Sequence, residues 1–152
     1  MSLKKGEEVE LTIDTTAFKG KGIGRIEGMA VFVPNTAPGD RVKARIVKKK
    51  KKYREAKVLE YLEKGPNHVT PKCRHAYVCG GCTYQHIPYD YQLKIKREQV
   101  RDHYHRIGEL REIEPLPTIP CDNTFYYRNK MEYSFGDRRW LSQKEVESDE
   151  FV

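Results

Sequence analysis

Three of the four cysteines, Cys73, Cys79 and Cys82, fall within one short stretch of the chain. Five residues separate the first pair and two residues, Gly80 and Gly81, separate the second. Glycine lets a tight turn leave the usual backbone regions without a Cβ clash, so such a loop can direct several thiolates toward one point. Backbone N–H groups at a turn can also point at sulfur. The spacing predicts three ligands of a metal centre whose fourth ligand lies elsewhere.

The residues alone leave three interpretations of this stretch. The cysteines could hold an iron–sulfur cluster, form a zinc site of the Cys3His type completed by His75 or His86, or remain reduced thiols. The two close pairs of a zinc finger are absent. A disulfide framework would have to recruit Cys121 and is disfavoured. The chain shows neither a secretory signal nor a long apolar run, which predicts a cytoplasmic protein without stable disulfides.

The positive charge is concentrated at the N-terminus. Residues 1–62 hold 15 Lys+Arg against 8 Asp+Glu, whereas residues 63–152 hold 14 of each. The whole net charge of +7 therefore belongs to the first segment. A basic module attached to a neutral body favours a polyanionic partner, although a solvated lysine-rich surface would give the same count.

Residues 7–62 have the pattern of short strands separated by turns. Apolar residues alternate with polar ones over Val9–Ile13 and Val42–Ile46, as in half-buried strands. Met29 to Val33 and Tyr53 to Leu62 are further strand-like pieces, and Pro38-Gly39-Asp40 is a turn signal. About five strands in this length predict a small closed β-barrel resembling the OB fold.

Two short motifs inside this segment need interpretation. Gly20-Lys-Gly22-Ile-Gly24 lacks both the spacing and the following helix of a nucleotide-binding loop, so we interpret it as a bend between strands. The run Lys48 to Lys52, followed by Tyr53 and Arg54, lies between two strand-like pieces and predicts a basic hairpin tip. Lysines at such a tip can contact phosphates and the tyrosine can stack on a base, unless they merely protect an edge strand.

The second half of the chain predicts one helix and one strand. A linker around Gly65-Pro66 leads to the cysteines. A helix is predicted from Asp90, as the N-cap, to Ile107, with Gly108 after its end. Its apolar face is predicted to contain Leu93, Val100, Tyr104 and Ile107, with Val100 and Tyr104 in the core.

The last residues predict an incomplete domain. Residues 109–125 are irregular, and Tyr127 to Phe135 alternate as a strand does. A lone strand is not a stable sheet, so we expect this domain to continue in a longer protein or to pack on another chain. The predicted division is a barrel at 1–62, a linker with the cysteine loop at 63–88, and the helix and first strand of a truncated α/β domain at 89–152.

Several of these residues resemble known families. Phe18 to Arg25, Val31 to Asn35 and Pro38-Gly39-Asp40 resemble a TRAM domain, a small β-barrel found on RNA-modifying enzymes. The cysteine stretch with Gln85-His86, followed by Tyr127-Arg128-Asn129-Lys130, is similar to the RumA/TrmA-type RNA uracil-5 methyltransferases.

That resemblance implies a [4Fe-4S] cluster held by four cysteines, of which Cys73, Cys79 and Cys82 match the first three. Cys121 does not match the fourth, because it precedes the Tyr-Arg-Asn-Lys motif and the family's last ligand follows it, beyond Val152. We therefore expect Cys121 to be an ordinary thiol and the cluster site to be incomplete here, with zinc as the competing metal.

The resemblance also implies the chemistry. A cysteine thiolate adds to C6 of a flipped-out uracil, C5 takes the methyl group of S-adenosylmethionine, and a carboxylate removes the C5 proton. Those groups belong to a C-terminal Rossmann-like domain, and the present chain has no strand–Gly-rich–helix unit. We assign no catalytic residue to it and expect it to be inactive alone.

The predicted function is the RNA-binding and cluster-binding N-terminal part of a ribosomal RNA uracil-5 methyltransferase. Its partners would be RNA and the methyltransferase domain of the same polypeptide. We do not expect it to bind a membrane. The predicted RNA-binding residues are Lys19, Lys21, Arg25, Lys48, Lys49, Lys50, Lys51, Lys52, Tyr53, Arg54, Arg128 and Lys130.

Two other functions share features with this pattern. The first is a stand-alone zinc-containing RNA-binding protein. The second is a radical methylthiotransferase, which also uses a TRAM domain. Its cluster motif has cysteine spacings of three and two, and here the spacings are five and two, so it is disfavoured.

Overall fold

The structure is a computed structural model, and it describes residues 3–77, 81–127, 130, 132 and 135–138. It contains six strands and one helix within these residues. In chain order they are β1 (Glu8–Thr12), β2 (Thr15–Thr16), β3 (Gly22–Ile26), β4 (Met29–Val33), β5 (Arg41–Lys49), β6 (Tyr53–Glu63) and α1 (Tyr89–Arg106). The mainly β fold with one following helix agrees with the predicted class.

All six strands form one sheet, in the order β1-β5-β6-β4-β3-β2. Neighbouring strands are antiparallel except β4 and β6, which run parallel. Among the described residues the sheet is not closed, so the prediction of a closed barrel was wrong and the domain is barrel-like. The outer strands β1 and β2 are consecutive in the chain, however, and only Ile13 and Asp14 separate them.

This arrangement brings β1 and β3 very close to each other. The Asp14 N–H donates to the Ile23 carbonyl at 2.8 Å. A Cβ built on Gly24 would lie 2.3 Å from the Thr12 carbonyl oxygen, which no side chain can tolerate. The predicted bend over Gly20–Gly24 is therefore only partly right: Gly20 lies in a turn, but Gly22 and Gly24 lie inside β3, where they let two strands approach closely.

The main core is enclosed by this sheet. Alternate residues of β5 point inward, as the sequence pattern predicted, and Ala56 of β6 is buried beside them. The buried members are Leu3, Leu11, Ile13, Val31, Val33, Val42, Ala44, Ile46 and Ala56. Burial of such aliphatic side chains, each worth about 1.5–3 kcal/mol for the larger ones, is the principal stabilising contribution to the barrel.

A second, smaller core attaches α1 to the barrel. It consists of Ala37 from the β4–β5 connection, Ile87 and Ile95, with Tyr84 and Tyr91 packed against it. The helix begins one residue before the predicted start and follows Pro88, and no side chain caps it, so Asp90 is a first-turn residue and not the N-cap.

The predicted buried face of the helix was wrong. Val100 and Tyr104 are 43% and 40% exposed, and Ile95 is the buried residue. Ile95 is buried because this side of the helix packs on Ala37 and Ile87, which lie in other parts of the chain.

After α1 the described chain is irregular and packs back along the helix. Arg97 donates to the Pro115 carbonyl at 2.8 Å, and the Thr118 hydroxyl donates to the Leu93 carbonyl at 3.0 Å. Of the predicted strand at 127–135, the described residues Tyr127, Lys130, Glu132 and Phe135 lie in no strand, and the others lie outside the described residues.

In the part of the chain that the structure describes, no helical stretch has the length and hydropathy needed to cross a bilayer.

Candidate RNA-binding face and cysteine loop

One face of the sheet gathers most of the predicted RNA-binding residues that lie in strands. Strand register places Arg25, Ala30 and Tyr53 in one row, and Ile23, Phe32, Glu55 and Lys48 in the next. The Phe32 and Tyr53 rings meet edge to face, with centroids 5.3 Å apart. We call the surface formed by Lys21, Arg25, Phe32, Lys48 and Tyr53 the basic face.

Glu55 connects the two ends of the basic face. Its carboxylate lies 2.9 Å from Lys21 Nζ and 3.6 Å from Lys48 Nζ. The hydrogen bond from Lys21, aided by the charge of Lys48, lowers the pKa of Glu55. Partly exposed ion pairs of this kind remain screened by water and contribute little stability, so a phosphate can compete with Glu55 for either lysine.

The lysine run forms a hairpin tip, as predicted. Lys48 and Lys49 end β5, and Lys50, Lys51 and Lys52 are exposed in the connection to β6. The tip is closed by a hydrogen bond from Lys50 N–H to the Tyr53 carbonyl at 3.0 Å. Several ammonium groups are therefore held together at one end of the basic face.

Arg54 was wrongly predicted to contact RNA. It is only 4% exposed, because it shares the inward-facing side of β6 with Ala56. Its guanidinium donates to the carbonyls of Leu3 and Tyr53, both at 3.0 Å, and to that of Lys50. With these donors used inside the protein, Arg54 stabilises the hairpin and the N-terminal segment.

The remaining predicted residues are more scattered. Lys19 is exposed in the β2–β3 turn, and Arg25 donates to the Gly28 carbonyl at 3.3 Å from an exposed position. Lys130 pairs with the neighbouring Glu132 at 3.0 Å. Arg128 lies outside the described residues. Among the described residues, the predicted RNA-binding residues of the barrel therefore lie close together, whereas Lys130 belongs to no such cluster.

The β2–β3 turn presents an aromatic residue that the prediction left out. Phe18 is 66% exposed and lies beside His103 of α1, with ring centroids 5.8 Å apart. The signal in the sequence was an aromatic residue placed directly before Lys19-Gly20, in a turn flanked by lysines.

Gln85 organises the cysteine loop, which we define as residues 73–82. Its Nε2 donates to Cys82 Sγ at 3.1 Å, and its Oε1 accepts from the Cys73 N–H at 3.1 Å. One amide side chain therefore holds both described cysteines of the loop. The His75 N–H points at Cys73 Sγ at 3.4 Å. N–H groups also hydrogen-bond to the ligand sulfurs in thiolate-bound metal centres.

The donor set is compatible with a thiolate metal centre. Both described thiols are exposed and each has an N–H donor, while Cys79 lies outside the described residues. Within the described ranges, no three His, Cys, Asp or Glu residues are grouped as metal ligands. Cys121 hydrogen-bonds locally, its thiol donating to the Asn123 carbonyl at 3.2 Å and its N–H to the Tyr89 hydroxyl at 2.7 Å.

The structure argues against His86 as a zinc ligand. This residue is 2% exposed, and its Nε2 donates to the Thr36 carbonyl at 3.2 Å, so the side chain is directed at the barrel. Burial lowers the pKa of His86, which keeps the ring neutral. His75, the other candidate, is exposed and accepts a hydrogen bond from Arg74 Nε at 3.0 Å.

A buried polar cluster joins the cysteine loop to the barrel. The Asp40 carboxylate accepts from the N–H groups of Ala37 and Gly65 at 2.8 and 2.9 Å, and from His68 Nδ1 at 2.7 Å. The Asp40 and His68 side chains are 0% and 1% exposed. We call Asp40, Gly65, His68 and His86 the junction. The His68 and His86 rings lie 5.5 Å apart, and the Val69 N–H donates to the His86 carbonyl at 2.9 Å, which joins the segments that flank the loop on both sides.

Comparison with known proteins identifies the N-terminal β domain, which contains the basic face. The model of the TRAM domain family matches residues 2–59. An uncharacterized RNA methyltransferase of Porphyromonas gingivalis is 40% identical over 137 residues, which is 90% of this chain and 30% of that protein. One from Chlorobaculum tepidum is 41% identical over 151 residues, covering 98% and 31%. The chain thus spans about 30% of the length of the curated relatives it matches.

Two solved structures are also similar to parts of the chain. A tRNA (uracil-54, C5)-methyltransferase of Pyrococcus abyssi, in complex with S-adenosyl-L-homocysteine, is 32% identical and has a TM-score of 0.43, covering 64% of this chain and 21% of that one. A conserved protein of Methanococcus maripaludis is 34% identical with a TM-score of 0.37, covering 38% and 83%. The chain therefore contains a TRAM domain at residues 2–59, and the relatives that it matches along nearly its whole length are RNA methyltransferases.

Proposed function

We propose that this chain is the RNA-binding and metal-binding N-terminal part of an S-adenosylmethionine-dependent RNA uracil-5 methyltransferase acting on ribosomal RNA in the cytoplasm. The observation that carries the proposal is the basic face on a TRAM domain whose relatives are RNA methyltransferases. The uracil-5 reaction and the ribosomal substrate are supported by the spacing of Cys73, Cys79 and Cys82 and by the Gln85-His86 pair that follows them.

In this proposal the basic face and the hairpin tip bind the phosphate backbone. Lys21 and Lys48 exchange Glu55 for phosphate oxygens, while the exposed lysines 50–52 extend the positive surface beyond the sheet. Phosphate contacts of this kind position RNA without reading its sequence. The chemistry of methyl transfer belongs to a catalytic domain, so this chain contributes affinity and orientation.

The loop would hold a [4Fe-4S] cluster through Cys73, Cys79 and Cys82, with a fourth ligand from elsewhere in the polypeptide. The cluster would supply rigid cross-linking of the loop and not electron transfer. Gln85 would direct one N–H at Cys82 and fix the backbone of Cys73, which keeps two ligands in place.

RNA binding by the hairpin tip can be tested with two matched double variants. Lys51→Ala/Lys52→Ala removes two ammonium groups from the tip, and Lys94→Ala/Lys96→Ala removes two exposed ones from α1. Each phosphate contact contributes about 0.7 to the slope of log K against log salt for single-stranded RNA. We expect the tip variant to reduce that slope by up to about 1.4 and the helix variant to leave it unchanged. Equal effects of the two variants would contradict a specific role for the tip.

The metal can be tested by elemental analysis after anaerobic purification and reconstitution with iron and sulfide. We expect iron with acid-labile sulfide, reduced strongly by Cys73→Ser, Cys79→Ser or Cys82→Ser. Cys121→Ser is the matched control and should retain the metal, since that thiol hydrogen-bonds to its own segment. Stoichiometric zinc that is lost in His75→Ala would instead favour the zinc-containing RNA-binding protein.

The reaction can be tested with a chimera in which residues 1–152 replace the matching part of the Porphyromonas gingivalis relative. RNA labelled with tritium at uracil C5 releases it when that carbon is methylated. We expect release from ribosomal RNA with the chimera and S-adenosylmethionine, and RNA binding without release for this chain alone. Methyl transfer without tritium release would exclude the uracil-5 position, and release from transfer RNA alone would exclude the ribosomal substrate.

A further inference from the structure

We propose that Phe18, supported by His103, is a stacking site for one unpaired nucleobase at the edge of the basic face. The proposal rests on the proposed RNA binding and adds to it a position and a ligand: a single-stranded base, recognised by its π surface. Neither the family match nor the relatives assign such a site to this turn.

The first observation is that Phe18 is exposed in a turn that is buried at both of its ends. Phe18 is 66% exposed, whereas Gly20 and Thr16 are buried on either side of it. A single exposed ring is not by itself a binding site, so the inference depends on the contacts that hold this turn and on the charge beside it. Here Lys19 follows directly and is exposed as well.

The second observation is that several contacts fix the turn. The Ala17 N–H donates to the Lys21 carbonyl at 2.8 Å, and the Gly20 N–H to the Ala17 carbonyl at 2.9 Å. Gln99 of α1 donates to the same Ala17 carbonyl at 3.1 Å. Gly20 has a φ of +82°, and a Cβ there would lie 2.2 Å from Thr83 Cγ2, so the turn is pressed against the segment that follows the cysteines.

The backbone of the turn also adopts a conformation that other contacts must maintain. Lys19 has a φ of +70°, in the left-handed region that residues with a Cβ rarely occupy. Such a conformation persists where the surrounding structure over-determines it. The backbone that carries Phe18 is therefore held in place, which lowers the entropic cost of binding a base.

His103 supports the ring from the helix side. The two rings are nearly perpendicular, at 88°, and His103 Nδ1 donates to the Gln99 carbonyl at 2.6 Å. Gln99 therefore connects to both members of the pair, through its side chain to the turn and through its carbonyl to His103. The site consists of one ring from the barrel and one from α1.

Charge favours RNA as the occupant. The turn ends at Lys21, whose ammonium group lies on the basic face beside Glu55. A backbone that follows Lys48 and Lys21 would therefore reach Lys19 and Phe18. Aromatic side chains beside a cationic groove are the general means of binding single strands, since every base has a π surface.

The experiment uses a single-stranded oligonucleotide with one 2-aminopurine, whose fluorescence is quenched by stacking, and the variants Phe18→Leu and Phe18→Trp. Leucine keeps an apolar side chain at this exposed position without a π surface, so the fold is retained. We expect Phe18→Leu to abolish the quenching and to weaken single-strand binding by about 5- to 150-fold, with the salt slope unchanged. Phe18→Trp should bind at least as well as the parent protein, and duplex RNA should bind both variants equally.

Three results would overturn the inference. Single-strand affinity that is unchanged in Phe18→Leu, while Lys51→Ala/Lys52→Ala still lowers it, would reject the stacking site and leave the proposed RNA binding intact. Self-association of the parent protein that Phe18→Leu abolishes would assign the ring to a contact between copies. A parent protein that binds no RNA would overturn the proposed function together with this site.

Discussion

The junction and the cysteine loop are adjacent in the chain but are held in different ways. At the junction, the Asp40 carboxylate is fully buried and accepts three hydrogen bonds, one from its own β4–β5 connection and two from the linker after β6. In the cysteine loop, the described thiols are exposed, and Gln85 and the His75 N–H provide their polar contacts. The junction thus holds the segments that flank the loop, while one amide holds its two described cysteines.

This difference separates the folding stability of the domain from its affinity for a metal. The junction belongs to the fold of the barrel and should form whether or not a metal is present. The ligand geometry depends on few contacts, so it should respond to the metal and to Gln85. Changes at the junction should therefore alter folding stability, and changes at Gln85 should alter metal affinity.

The largest effect is expected for Asp40→Ala. This change leaves the N–H groups of Ala37 and Gly65 and the His68 ring without their buried partner. Each buried donor left without an acceptor costs about 1–3 kcal/mol, so the urea midpoint should fall sharply. The matched control is Asp14→Ala, which removes an exposed carboxylate from the same domain and should change the free energy of unfolding by less than about 0.5 kcal/mol. Similar losses in both variants would remove the distinction between junction and surface.

Gln85→Leu, in contrast, should lower metal affinity and leave folding stability unchanged. Without the amide, Cys82 Sγ loses its N–H donor and the Cys73 N–H loses its acceptor. Loss of such a supporting contact lowers metal affinity by about 10- to 100-fold, which competition with a chelator would measure. The urea midpoint of the metal-free protein should stay within experimental error. Gln85→Glu retains an acceptor for Cys73 but not the donor to Cys82, and should give an intermediate affinity.

Acidification should destabilise the junction through His86. Burial lowers its pKa below the usual 6.5, so the unfolded chain binds a proton more readily than the folded one. The contribution of His86 is fully present above pH 6.5 and is lost as the pH falls toward the folded-state value, with a slope of at most about 1.4 kcal/mol per pH unit. Thermal unfolding at pH 7.5 and 5.5 should show a smaller difference in His86→Gln, which keeps an amide donor for the Thr36 carbonyl. An equal pH dependence in both proteins would assign the titration to other groups.

The smallest effect is expected where the loop contacts the junction. The Tyr77 ring lies 5.9 Å from that of His86 and is 46% exposed. Tyr77→Leu removes the ring contact and should lower the free energy of unfolding by about 0.5–1 kcal/mol, with metal affinity almost unchanged. A loss as large as that of Asp40→Ala would show that the loop and the junction fold as one unit.

The sequence predicted best what depends on local pattern. The alternation in β1 and β5 located the core strands, and the lysine run located the hairpin tip. The same rule was available for Arg54, because it is two residues before Ala56 and so shares its inward-facing side. Its position in a basic run led to the wrong assignment, since charge alone does not show where a side chain points.

The sequence could not predict what depends on distant contacts. The parallel pairing of β4 with β6 and the two-residue strand β2 arise from how the sheet folds back on itself. The buried face of α1 follows Ile95 because Ala37 and Ile87 meet it there, and its apolar residues fit more than one face. At the candidate site, the cysteine spacing was visible, but the roles of Gln85 and Asp40 required three-dimensional neighbours.

The hydrogen bond between Val69 and His86 has a consequence for how a metal would be acquired. Gathering several thiolates from a flexible chain normally costs loop-closure entropy, which grows with the length that must be closed. Here the barrel has already brought the two ends of residues 69–86 together before any ion arrives. The folding of the barrel therefore meets part of the entropic cost of assembling the centre, so metal capture is expected to follow barrel folding in time.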